Sequence, residues 1–253
     1  MATDSVGDLV VPDGGLKGAP VTAVSCGEVA AIVSPLESER VRSSRADLSA
    51  HARVVEFVAS GCTILPLQFG VVMPSEGAVI EDLLGSNGEG LSLLVDEMAA
   101  KAEHRLKATY LGDVALRDAV DANPSIRRLQ QKVRSLGEAA SYHHRIQLGE
   151  LVSAGLEQVK ADDAAMILGR LRSWAVSTLV LPARRDDVAV HVAFLVDVAT
   201  VQRFDEAIDA VAEEFGHRMS FEVIGPLAPW DFVTQDLVAG QEPLPASTTP
   251  GRR

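Results

Sequence analysis

CTILPLQFGVVMP, Cys62 to Pro74, sits inside a run from Phe57 to Ser75 that holds no charged residue, in a chain of formal net charge −12. A run of that length and polarity has the dimensions of a membrane span. Gly61, Pro66, Gln68, Gly70 and Pro74 interrupt it, however, and in lipid they would strand backbone polar groups. The reading that costs nothing is the end of a helix, a turn and a buried strand over residues 63–72. The lack of polar alternation there implies burial on both faces. Pro66 cannot donate to a ladder and so marks a strand edge or a bulge.

Working outward, residues 21–25 and 28–33 are β-branched runs about Cys26-Gly27 and predict a hairpin. Asp47 is placed to cap a helix through residue 60, with Leu48, Val54, Val55 and Val58 on one face and Gly61 as its stop. Residues 75–84 predict a short helix. GSNGEG, residues 85–90, then reads as a linker. An N-terminal α+β domain over residues 1–88 follows.

After the linker, Leu91, Leu94, Val95 and Met98 share a helix face, and residues 105–110 suggest a strand. Asn123-Pro124 is a cap followed by proline at the first helical position. Ile126, Leu129, Val133 and Leu136 then form one stripe, and Leu148, Leu151, Val152, Leu156 and Val159 another. Residues 174–181 and 188–196 predict strands. Thr200 opens a helix with Val201, Phe204, Ile208, Val211 and Phe215 on its apolar side. Met219, Phe221 and Val223 alternate as a last strand, expected to end at Gly225-Pro226. Strand, helices, strand, strand, helix, strand is the split β-α-β order of a ferredoxin-like fold. Its first crossover is expanded into a helical subdomain at about residues 112–172. This second domain spans residues 89–235, and residues 236–253 form a Pro/Ser/Thr-rich tail expected to be disordered.

Hydrophobic residues make up 47% and aromatics only 4%, so the cores must be built from Ala, Val and Leu. With 23 basic against 35 acidic residues, the chain does not suit a nucleic-acid or anionic-lipid surface. Cys26 and Cys62 make neither a disulfide framework nor a metal quartet, and a reduced cytoplasmic setting is expected. The opening MATDSVGDLV lacks the apolar stretch of a secretory signal.

Residues suited to chemistry are few. His143 and His144 are adjacent on a helix and diverge by about 100°, whereas zinc favours i, i+4 spacing. His51 lies beside apolar neighbours and reads as a partly buried, hydrogen-bonded ring. Cys62 reads as a packed thiol. Asp162-Asp163, Asp186-Asp187 and Glu213-Glu214 look like turn or surface charges. Arg127, Arg128, Lys132 and Arg134 fall on the outer side of a helix, a solvated face by default and a patch for an acidic partner as the alternative. No phosphate loop, dinucleotide fingerprint or nucleophile elbow occurs. An enzyme is therefore not expected, nor a cofactor or metal. In EVIGPLAPWDFV, residues 222–233, two prolines hold Trp230 and Phe232 in place, as a lid on the core or an anchor for a partner.

Three blocks together resemble the gas vesicle protein F/L family. ADLSAHARVVEFVASGCTILPLQFGVVM (residues 46–73) is similar to its signature of a histidine-bearing helix followed by LP-x-x-FG. ASYHHRIQLGELVSAGLE (residues 140–157) and VIGPLAPWDFV (residues 223–233) resemble two further blocks in the same order. The family usually opens on a Tyr-rich strand, whereas MATDSVGDLVV carries no aromatic. The resemblance implies an N-terminal domain followed by a ferredoxin-like domain. It also implies a minor structural or assembly role in gas vesicles, without catalysis, in contact with their small hydrophobic shell protein and other accessory proteins. The family-motif residues, and candidates for interaction, are Leu65, Pro66, Leu67, Phe69, Gly70, Gly225, Pro226, Pro229, Trp230 and Phe232. Strand pairing of the shell protein at the Leu67 to Phe69 end is the sharper expectation, and packing in the core the plainer one. No small-molecule substrate, nucleic acid or membrane is expected as partner. A ligand-binding regulatory module is the alternative, on fold analogy alone.

Overall fold

The computed structural model describes residues 10–37, 44–136 and 140–233. Contacts gather the chain into two compact units, Met1–Ala100 with Leu227–Arg253, and Lys101–Pro226. The opening residues 1–9 and the expected tail lie outside the described residues.

In the first unit, β1 (Thr22–Cys26) pairs antiparallel with β2 (Val29–Val33), Cys26 facing Val29 across a Gly27-Glu28 loop. Gly27 has φ +63 with open space around it, so the demand there is conformational. A positive φ at the first loop position alone is the type II′ pattern, which glycine satisfies. The expected hairpin is present. Helix α1 (Arg45–Ala59) is capped by Ser44 instead of Asp47. Ser44 Oγ accepts from Asp47 N at 3.1 Å and donates to Asp47 Oδ2 at 2.6 Å. Asp47 sits one turn in, where a carboxylate complements the helix dipole. Ala50, Val55 and Val58 form the buried face, while Leu48 is exposed.

The uncharged run after α1 forms no strand. Residues 63–68 are irregular, and of residues 62–74 only Pro66 is fully buried. Three features keep it out of a ladder: Pro66 lacks an N–H, Gly70 takes φ +101, and the Leu67 carbonyl is engaged by His51. Burial on both faces is thus not what removes the charges.

GSNGEG is helical, not a linker. Ser75 caps α2 (Glu76–Ala78), which widens into a π-helical segment, Val79–Gly85, and runs on as α3 (Ser86–Met98). The polar side chains read as linker bond back to carbonyls of these wide turns. Ser86 Oγ donates to Glu81 O at 3.0 Å, and Asn87 Nδ2 to Leu83 O at 2.9 Å. At Gly85 a Cβ would lie 3.0 Å from Ile80 O, so a larger residue would crowd that carbonyl. Val24, Val29, Val79 and Leu84 make the small core, so α3 belongs with the hairpin.

The second unit runs β3 (Lys101–Tyr110), α4 (Val114–Ala122), α5 (Pro124–Ser135), α6 (Tyr142–Leu171), β4 (Ser177–Val180), β5 (Val188–Asp197), α7 (Val201–Phe215) and β6 (Met219–Leu227). Its sheet order is β4-β5-β3-β6, with β5 antiparallel to both β3 and β4. This is the split β-α-β arrangement with three helices in the first crossover. Asn123 Oδ1 accepts from Ser125 N at 3.0 Å, capping α5 ahead of Pro124 as expected. Alternate β5 residues Val190, Val192, Phe194 and Val196 pack on Phe204, Ile208 and Val211 of α7 and on Ile167 and Leu171 of α6. Phe194 and Phe204 meet edge to face at 5.1 Å. The last strand does not stop at Gly225-Pro226 but continues to Leu227. Gly225 is essential there, since a Cβ would come within 2.7 Å of His104 Nδ1 and 3.0 Å of Glu103 O.

His104 is buried, edge-on to Phe204 at 5.4 Å, with no hydrogen-bond partner for Nε2. Burial pushes it below the ordinary value of 6.5, against the opposing pull of Asp205. The unfolded chain therefore binds the proton first as pH falls. The stability tied to neutral His104 is complete above 6.5 and is lost as pH drops toward the lower folded value. Denaturation midpoints measured at about pH 7 and about pH 5.5 should fall further for the wild type than for His104→Gln. Parallel losses would remove His104 from the account.

Candidate functional site

In the first unit, residues from two distant blocks of sequence converge on one face of α1. His51 and Glu56 both belong to that helix. His51 Nε2 donates to Leu67 O at 2.9 Å. The same ring lies edge-on to Phe69 and to Trp230, each at 5.7 Å. Glu56 is used at both oxygens: Oε1 accepts from Trp230 Nε1 at 2.7 Å and Oε2 from Ala228 N at 3.0 Å. Pro229 and Ala228 are buried, and Trp230, Asp231 and Phe232 are half-buried. A turn closes the segment, with Phe232 N and Val233 N both donating to Pro229 O.

Leu67, Phe69 and Trp230 are therefore brought together around His51. Leu65 is half-buried and Pro66 buried in the same irregular stretch, and Gly70 is exposed at its turn. Gly225 and Pro226 belong to β6, in the second unit. Sequence reading missed Glu56. A carboxylate set among Val54, Val55, Phe57 and Val58, with a tryptophan far downstream lacking a partner, was the available signal. The cluster fixes a carboxyl-terminal segment against α1. Every polar atom named in it is hydrogen-bonded within the unit, which fits a lock rather than a proton-transfer site.

The second unit holds a buried ionic network that the sequence reading placed on the surface. Asp163 of α6 is 2% exposed. It accepts from Tyr110 Oη at 2.6 Å, and from Arg218 Nη1 at 3.1 Å and Nη2 at 3.0 Å. Arg218 Nη2 also donates to Asp118 of α4 at 2.7 Å. Burial first, then the bond to Asp163, holds the Tyr110 phenol far above its usual range, so it stays protonated. An open pocket of about 820 Å³ adjoins the network, bounded by α4, α6 and the His217-Arg218 turn. With Asp163 held by three hydrogen bonds and Tyr110 fixed as a donor, the group ties helices to the sheet.

The remaining candidates stand apart. His143 is exposed on the first turn of α6, its ring edge-on to Tyr142 at 5.7 Å. Cys62 is exposed and not packed as expected, yet its thiol donates to Val58 O, and burial on that side raises its pKa, disfavouring the thiolate. Among the described residues no three His, Cys, Asp or Glu side chains are grouped to hold a metal ion. No helix among them is long and apolar enough to cross a membrane.

Comparison with known proteins covers nearly the whole chain. The family model described as gas vesicle synthesis protein GvpL/GvpF matches residues 2–234. Gas vesicle protein F of Streptomyces sp. (strain CB03234) is 31% identical over 214 residues, 85% of this chain and 88% of that protein. Among solved structures, GvpF from Anabaena sp. PCC7120 superposes with a TM-score of 0.78 at 22% identity, covering 87% of this chain and 90% of that one. GvpF from Microcystis aeruginosa superposes with a TM-score of 0.73 at 23% identity, covering 88% and 94%. The mixed helix-and-strand fold is thus that of GvpF.

Proposed function

The chain belongs to the gas vesicle GvpL/GvpF family, and from that premise we propose that it is a non-enzymatic assembly or minor structural component that binds the hydrophobic shell protein. Its place of action is the cytoplasm and the growing vesicle. The observation carrying this reading is the stretch over residues 63–72, uncharged, half-exposed and outside any sheet. Its main chain is held in position by the His51–Leu67 bond, while Val71 is exposed beside Gly70. An apolar segment whose backbone joins no sheet suits strand pairing with an apolar partner. Other accessory gas vesicle proteins would meet the rest of the surface.

The test is co-expression of the tagged full chain with the shell protein of the same cell, followed by a high-salt wash. Retention is expected, and it should be lost in Val71→Asp, a change at an exposed position that leaves the folded state intact by thermal melt. Phe69→Ala also removes the ring against His51, so its result counts only if the variant melts normally. A folded Val71→Asp that retains the shell protein as well as the wild type would overturn docking at this stretch.

A further inference from the structure

Helix α5 carries Arg127, Arg128, Lys132 and Arg134 and no acidic residue, in a chain of net charge −12. None of these four cations has an ion-pair partner among the described residues. Beside them runs a groove of about 620 Å³ between α5 and α6. Its α5 wall is Ser125, Arg128, Leu129 and Lys132, and its α6 wall is Gln147, Glu150, Leu151 and Ala154. Both walls follow i, i+3, i+4, i+7, the spacing of one helical stripe. Two such stripes side by side, with half-buried leucines between them, form the seat into which a third helix packs in a bundle.

We propose that this groove docks an acidic amphipathic helix of a partner protein. Leucine-sized residues of the incoming helix lie over Leu129 and Leu151. Its carboxylates, one turn apart, meet Arg128 and Lys132. Glu150 on the opposite wall sets the orientation, because it repels an acidic edge on that side. Nucleic acid fits poorly: four cations on one short helix are set against an acidic whole, and a phosphate backbone calls for a broader positive field. The inference does not depend on shell binding and can fail or stand without it.

The test uses the full chain and two labelled synthetic helical peptides with the same leucine stripe, one flanked by glutamates and the other by lysines. Fluorescence anisotropy should show saturable binding of the glutamate peptide that weakens with salt. Arg128→Glu with Lys132→Glu should weaken it about tenfold or more, and Leu129→Ser should weaken it as well. Arg203→Glu, an exposed cation on α7, should leave it unchanged. Thermal melts establish that each variant is folded. The proposal is overturned by equal binding of the lysine peptide, by an unaffected double variant, by preference for a duplex DNA probe, or by no saturable binding of the glutamate peptide.

Discussion

Asp163→Ala is expected to destabilise the protein by about 3–5 kcal/mol, the range for removing one partner of a buried ion pair. The size follows from what is left behind. Arg218 would keep its charge at a site where its Nε already has no hydrogen-bond partner, and Tyr110 would lose the acceptor of its 2.6 Å bond. Asp118 does not compensate, because it is more exposed and meets only Nη2 of Arg218. Asp163→Asn keeps the shape and one acceptor but not the charge, so a smaller loss should follow. Urea denaturation monitored by far-UV circular dichroism measures both. A loss under about 1 kcal/mol for the alanine variant would place this network with exposed ion pairs in energy.

The second large effect is local. Glu56→Ala should cost about 2–4 kcal/mol at the segment that holds Trp230, since two donors lose a charged acceptor. The Trp230 indole N–H and the Ala228 amide would have to turn to water, and the ring contact with His51 would loosen. The expected readout is a red shift of tryptophan emission, with faster proteolysis after Leu227 than in the wild type. Glu56→Gln retains one carbonyl acceptor and presents an NH₂ to the other donor, so it should fall between. Unchanged emission and protease resistance in the alanine variant would show that packing of Pro229 and Trp230 alone holds the segment.

Legibility in the sequence followed the range of the interactions involved. The hairpin about Gly27, the Asn123-Pro124 start of α5 and the stripes of α7 rest on local spacing, and they appear where spacing puts them. The order of elements in the second unit was enough for its sheet. Glycine-rich GSNGEG misled because composition cannot reveal that Ser86 and Asn87 would bond back to π-helical carbonyls. The run from Cys62 to Pro74 misled differently, since absence of charge signals an apolar neighbourhood without fixing a ladder. Asp163 looked like one of a surface pair because its partners, Tyr110 and Arg218, are 53 and 55 residues away. Glu56 escaped notice for the same reason, with Trp230 lying 174 residues on.

The bonds from Glu56 to Ala228 and Trp230 also govern the order in which the protein can be made. Domains emerging from a ribosome ordinarily fold from the amino terminus onward. Here the unit begun first is finished last, because it needs residues that follow Pro226. The stretch Lys101–Pro226 is contiguous and can reach its native contacts while the helix bearing Glu56 still waits for its tryptophan. A chain released early, just short of Ala228, would carry a complete second unit and an open first one. The lock can therefore close only in chains that extend as far as Trp230.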